Sequence, residues 1–292
     1  MVRTIESASP ALCRLHLSTE LRRLREESRL TAGEVARRFH WAASKMTRLE
    51  TGSDGVVKPS DVMLLCRLYE ADAETAARLE SYAVVTKTKK DWWQSPEYRS
   101  VISPGFQAYL ALEASAAQLH SYQSEYVPGL LQTEEYSRAV HRLGPADLSA
   151  DHVERLTAVR MTRSDVLCRE GAPKLTAILN EAVLRRTVGG REVMRAQLDH
   201  IAALAAGQPH IRVLVVPFSA GAHAGMSGPF VVIRFRQPGM RPIVYLENLA
   251  GSGITRRPDD VEKYGDAFSD LLSSALDQQQ SLRLIKEAGN VL

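Results

Sequence analysis

The sequence predicts two domains of different class, an all-α bundle first and a larger α+β domain behind it. Three observations carry this reading. At 292 residues the chain is about twice the usual length of a single domain. Up to about position 85 the apolar residues recur only at helical spacing, whereas beyond about 105 helical stretches alternate with short apolar runs that read as strands. The expected division is therefore residues 1–85, a linking segment 86–105, and residues 106–292.

The first helix is read from Leu17, because Leu17, Leu21 and Leu24 line one face with Arg22, Arg23, Arg25, Glu26 and Glu27 elsewhere. The second begins at "TAGEVARRF", where Thr31 and Glu34 have the spacing of a capping box, and it buries Val35, Ala36 and Phe39. Ala36 is small enough for another helix to cross closely above it. After "HW" a third helix turns Met46 and Leu49 inward, and "TG" at 51 and 52 supplies a glycine C-cap. Ser60 or Asp61 is expected to cap a fourth helix, "VMLLCRLYEA", and "DAETAARLESYAVV" reads as a fifth. Short helices with a close crossing in the middle make a helix-turn-helix bundle, so the first domain is an all-α helix-turn-helix domain.

In such a bundle the third helix presents short polar side chains to base edges and longer cations to bases or phosphates. "ASKMTR" supplies them. Lys45 can reach guanine or phosphate, Arg48 can bind guanine bidentately or clamp phosphate, and Ser44 and Thr47 can contact either, with Ala43 beside them. The amides around Thr31 and Ala32, and those at Lys58 and Ser60, stand at helix starts where a phosphate is held. Trp41 is expected to pack under the turn rather than on a base. Residues 1–50 carry ten Lys and Arg against six acids, although the whole chain is only +3, so a polyanion is drawn to this end.

The stretch "LRRLREESRLTAGEVARRFHWAASKMTRLETG" resembles the Cro/cI-type (XRE) helix-turn-helix family, with Leu21, Leu24, Leu30, Thr31, Val35, Ala36, Met46, Leu49, Glu50 and Gly52 in register. The sequence departs from that family at His40, where a glycine is usual and a positive φ is expected, and at Ala42, where a capping side chain is missing. Ala32 and Ala43 stand where many relatives have Gln. The loop before Pro59 is also longer.

The segment "TKTKKDWWQSPEYRSVISPG" reads as the link, with Trp92 and Trp93 docking onto one of the domains or serving a partner. Beyond it, "FQAYLALEASAAQLHSYQ" is read as a helix, Thr133 begins another, and "DHVERLTAVRMTRSDVLC" is amphipathic. "KLTAILN" alternates as a strand, "GGREVMRAQLDHIAALAA" is helical, and "HIRVLVVPF", "PFVVIRF" and "PIVYLE" are strands. Two helices follow Pro258. "SAGAHAGMSGPF" reads as a long hairpin-like excursion, either a flexible connection or a surface for partners or ligands. The stretches "YVPGLLQTEEYSRAV", "EAVLRRTVGG", "VMRAQLDHIAALA", "VPFSAGAHAGMSGPFVVIRF" and "VYLEN" are similar to the uncharacterised WhiJ-like or antitoxin-like C-terminal domain of actinobacterial regulators. That resemblance implies a transcriptional regulator, often paired with a small companion protein.

No catalytic or metal signature stands out. "GMSGP" lacks the last glycine of a nucleophile elbow, "GGR" lacks the Lys-Ser/Thr of a phosphate loop, and there is no HExxH. His223 and Glu247 remain a candidate pair, with a satisfied or exposed histidine as the plainer reading. Cys13, Cys66 and Cys168 form no CxxC, and Cys66 reads as a small buried hydrophobe. No run is apolar enough to span a bilayer, and the N-terminal residues lack a signal-peptide pattern. The expected protein is a cytoplasmic regulator that binds double-stranded DNA as a homodimer, a repressor with no cofactor and no enzymatic activity. The alternative is an antitoxin-like module that binds a small companion protein; a catalytic C-terminal domain is a third reading.

Overall fold

The computed structural model describes residues 10–51, 57–88, 91–144, 148–235, 240–248 and 251–292. They fall into two units, Met1–Ser95 and Pro96–Leu292.

The first unit contains α1 (Pro10–Glu27), α2 (Ala32–Arg38), α3 (Ala43–Thr51), α4 (Pro59–Leu68) and α5 (Ala73–Thr88). The first helix begins earlier than Leu17 because Cys13 continues its buried stripe through Leu17, Leu21 and Leu24. Leu17, Leu21 and Leu24 meet Val35, Ala36, Met46, Leu49, Val62, Leu65 and Leu79 in one core. Cys66 is buried as its apolar surroundings imply. The cap of α4 is neither Ser60 nor Asp61 but Lys58, with Pro59 in the first helical position. Proline suits that place because its φ is already helical and the amide it lacks would have no partner in the helix. Gly52, the expected cap of α3, lies outside the described residues.

Three turns in this unit share one backbone device. At Arg29, His40 and Glu70 the chain takes φ values of 57°, 54° and 54°, the left-handed region that glycine occupies most cheaply. In each the amide one residue later returns to the last turn of the helix: Leu30 to Arg25 O (3.2 Å), Trp41 to Ala36 O (2.8 Å) and Ala71 to Cys66 O (3.0 Å). The positive φ expected at His40 is present. At the end of the unit, Trp92–Gln94 form a 3-10 turn in which Trp93 is buried. Arg14 on α1 pairs with Asp91 at 3.1 Å beside it.

The second unit is α+β. Its elements are α6 (Pro96–Arg99), α7 (Pro104–Ala114), β1 (Ala116–Gln123), α8 (Glu134–His141), α9 (Ala150–Ser164), β2 (Lys174–Asn180), α10 (Glu181–Arg185), α11 (Arg191–Gly207), β3 (Ile211–Val216), β4 (Phe230–Phe235), β5 (Ile243–Asn248), β6 (Gly251–Thr255), α12 (Pro258–Ser274) and α13 (Gln278–Val291). The sheet order is β3-β2-β1-β4-β5-β6. β1, β2 and β3 run parallel, and β4, β5 and β6 continue the sheet antiparallel.

Two sequence expectations change here. "AAQLHSYQ" is the central strand β1 rather than the end of a helix, since Ser115 ends α7 and the next residues pair on both sides. Pairing with neighbouring strands outweighs local propensity in such a place. The chain from β3 to β4 is also not a hairpin, because β2 and β1 lie between those strands. It crosses the sheet end through 3-10 turns at Phe218–Ala220 and Ala224–Ser227. Gly225 is needed there, because a Cβ would overlap the Tyr122 ring.

One face of the sheet is solid. Tyr122, Phe230, Val232 and Val244 pack with Phe268 and Leu271 of α12, and His120 stacks on Phe268 at 4.5 Å. The outer strand β3 is closed off, since the Val215 amide donates to Ser281 Oγ (3.0 Å) and its carbonyl accepts from the Leu276 amide (2.8 Å). On the opposite face, α7 and α9 are tied by a buried ion pair. Arg163 Nε and Nη2 reach the Glu113 carboxylate at 2.6 Å each, and Tyr109 Oη donates to the same carboxylate at 2.7 Å. Arg163 is 9% exposed and Glu113 1%.

Because removing one partner strands a buried charge, Glu113→Ala should lower unfolding stability by about 3–5 kcal/mol in chemical denaturation. Glu113→Ala combined with Arg163→Met should recover part of that loss. A second expectation concerns pH. The His141 Nε2 on α8 is buried without a partner, and burial, then the Arg160 charge, pushes its pKa down to about 4. The unfolded chain therefore holds that proton more tightly, so the contribution is present above about pH 6.5 and lost as the pH falls toward about 4. For a partly exposed ring this amounts to about 1–2 kcal/mol, and the difference in stability between wild type and His141→Gln should change by that amount across the window.

Candidate nucleic-acid interface

The turn between α2 and α3 is built by local chemistry. Thr31 caps α2 and accepts from the Glu34 amide (3.2 Å), while Glu34 Oε2 takes the Thr31 amide and hydroxyl at 2.7 Å each. These bonds from Thr31 hold the Glu34 carboxyl below its ordinary range. At the other end His40 turns the chain back, and Trp41 packs beside Phe39 with ring centroids 4.9 Å apart. Trp41 lies against the bundle core, as expected.

α3 is fixed from two directions. Met46 and Leu49 are buried, 0% and 3% exposed, in the core. Arg25 of α1 forms a two-point ion pair with Glu50 (Nε to Oε1 2.6 Å, Nη2 to Oε2 2.8 Å) and donates through Nη1 to the Leu30 carbonyl at 2.7 Å. Both charged side chains are largely shielded, 12% and 10% exposed.

With its apolar side anchored, α3 exposes Ala43, Ser44, Thr47 and Arg48. Arg48 Nη1 donates to Ser44 Oγ at 3.3 Å, so these two side chains form one polar ridge. Lys45 is placed apart from them. Its Nζ is 2.8 Å from Asp61 Oδ2 on α4 and 3.6 Å from the Trp41 ring centre, and its side chain is 24% exposed. Helical spacing puts Lys45 either outward or flanking the seam, and it flanks the seam; its pairing with Asp61 is not legible, because a contact across the α3–α4 connection leaves no periodic signal.

The proposed phosphate positions are accessible to different degrees. Thr31, Lys58 and Ser60 are exposed, and Ala32 is half-buried. The Thr31 amide is taken by Glu34, and the carboxylate of Asp61 occupies the first turn of α4. Arg37 and Arg38, which charge counting noted without assigning, are exposed at the end of α2. His223 and Glu247 are not brought together. His223 Nδ1 accepts from the Gly225 amide at 3.2 Å and lines a hollow with Asn180, whereas Glu247 lines a separate cavity. Among the described residues no three His, Cys, Asp or Glu side chains cluster as a metal site. No helix of the described residues is long and apolar enough to cross a membrane.

Comparison with known families assigns both units. Residues 16–79 match a helix-turn-helix domain, and residues 106–287 match a domain of unknown function, DUF5753. Neither the curated proteins nor the solved structures contain a match to this chain. Since the second match spans more than half of the sequence, the chain belongs to the DUF5753 family, and its first unit is a helix-turn-helix DNA-binding domain of the kind found in regulators.

Proposed function

We propose that the protein is a sequence-specific transcriptional regulator of the Cro/cI type, acting as a dimeric repressor in the cytoplasm, with the DUF5753 unit as its responsive part. The observation that carries this reading is the polar ridge of Ser44, Thr47 and Arg48 on a helix whose opposite side is locked into the bundle. Arg48 reads a guanine edge or clamps a phosphate, and Ser44 and Thr47 contact bases or backbone beside it. Ala43 lets the helix approach the groove floor closely. The exposed side chains of Thr31, Lys58 and Ser60, with the Ala32 backbone, hold phosphates on either side, the Thr31 amide and the first turn of α4 being already met by Glu34 and Asp61.

Lys45 joins this set by leaving Asp61 when a phosphate approaches. A flexible lysine makes that exchange at small cost, since a partly exposed pair is worth about 0–1 kcal/mol. A single recognition helix covers only a few base pairs, so two copies on an inverted repeat, about one helical turn apart, supply the specificity a repressor needs.

The test is binding of the full chain to DNA from its own promoter region across a salt series. Arg48→Ala should weaken specific binding by ~1–3 kcal/mol, and Lys45→Ala should reduce the salt slope by about 1. Asp61→Asn, which releases Lys45, should tighten binding about two- to fivefold. Unchanged affinity in Arg48→Ala would overturn the assigned face. Unchanged affinity in Asp61→Asn would remove Lys45 from it.

A further inference from the structure

The face of the sheet opposite α12 is not solid. Between it and α7, α8 and α9 lies a cavity of about 390 Å³, lined entirely by residues of the second unit. Its walls are largely aromatic and aliphatic, with Phe106, Tyr109, Leu119, Val140 and Tyr245 among them. A volume and lining of this kind suit a small organic molecule.

Gln132 Oε1 and Tyr245 Oη in the wall are buried without a hydrogen-bond partner among the described residues, and the partly exposed Arg160 guanidinium stands beside them. Arg160 of α9 borders the cavity and has no hydrogen bond or ion pair among the described residues. Its neighbour Arg163, almost one turn further along α9, is already paired with Glu113 through Nε and Nη2. Burial, and then the Arg163 charge, pushes the Arg160 pKa down to about 10 against the attraction of Glu247 and Glu113. Gln132 is 4% exposed and also lines the cavity. Its Nε2 donates to the Val127 carbonyl at 2.8 Å, but its buried Oε1 has no partner. A buried acceptor is expensive to leave bare, so Gln132 Oε1, with the unpaired Arg160 donors in the same aromatic chamber, describes what is missing.

We propose that this cavity binds a small aryl carboxylate, whose carboxylate is clamped by Arg160, whose ring lies among Phe106, Tyr109 and Tyr245, and whose hydroxyl or amine donates to Gln132 Oε1. Glu247 also lines the wall but is solvent-exposed and forms no ion pair with Arg160, so that guanidinium is left to match one carboxylate in two-point geometry; a phosphate dianion would leave charge unmatched. Gly129 belongs to the same design, because a Cβ there would overlap the Arg160 Nη1 position. That occupancy alters operator binding rests on the reading under Proposed function; the site itself does not, so it is tested without DNA.

The full chain is titrated by calorimetry and thermal shift with benzoate, 4-hydroxyphenylacetate and 2-naphthoate, and with the carboxamide of each. At least one acid should bind with a Kd below about 1 mM and its carboxamide about tenfold or more weakly. Arg160→Gln and Gly129→Ala should each weaken that acid about tenfold or more. A Cβ at Gly129 would meet Arg163 Nη1 as well as Arg160 Nη1, so Arg160→Lys, which keeps the charge and loses the two-point geometry, carries the test if either variant fails to unfold cooperatively, and it too should weaken the acid about tenfold. The proposal is overturned if none of the acids binds at about 5 mM, if acid and carboxamide bind alike, or if a cooperatively folded variant binds as wild type does. Ligand binding without any operator binding would sink the regulator reading and leave the site standing; operator binding without ligand binding would do the reverse.

Discussion

The ion pair between Arg25 and Glu50 is the constraint on which the helix-turn-helix half depends. A single guanidinium binds the end of α3 through two bonds and the carbonyl of Leu30 through a third, so α1, the turn leading into α2, and α3 share one anchor. Buried in this way, the pair adds geometry more than net stability, since desolvation offsets much of the attraction. What it settles is rotation. With Met46 and Leu49 pointing into the core and Glu50 held from behind, α3 has one orientation in which Ser44, Thr47 and Arg48 meet solvent. The distribution of charge then acts on a defined surface rather than on a loose chain.

The larger unit solves a different problem with a mixed sheet. Its parallel half needs helices in its connections, and its antiparallel half does not. Packing is consequently uneven. α12 fills one face with aromatic and branched side chains, while the facing layer is held apart by the Arg163–Glu113 strut and encloses open volume. A buried ion pair with Tyr109 attached is a rigid spacer, which a core of leucines would not be.

What could be read in advance followed the range of the interaction. The capping box of Thr31 and Glu34, the left-handed turn at His40 and the inward stripe of Met46 and Leu49 are all set within a few residues, and each was legible. β1 was not, because "AAQLHSYQ" has no strong strand propensity and takes its conformation from β2 and β4. β6 was missed for a related reason: "GSGIT" is glycine-rich and largely exposed, so it shows no alternating buried pattern. The crossing from β3 to β4 depends on strand order, which local sequence does not encode. On α3, the exposure of Ser44, Thr47 and Arg48 was readable from helical spacing. The Lys45–Asp61 contact and the chamber around Arg160 arise from meetings of distant segments and carry no mark in the string of letters.

The left-handed corner at His40 has one more implication. Glycine would relax the backbone there but would leave the corner bare. An imidazole in that conformation accepts strain in return for an exposed aromatic nitrogen heterocycle at the corner where α2 gives way to α3. The surface beside α3 can thus be varied from outside that helix, at a residue whose side chain can be exchanged without repacking the interior.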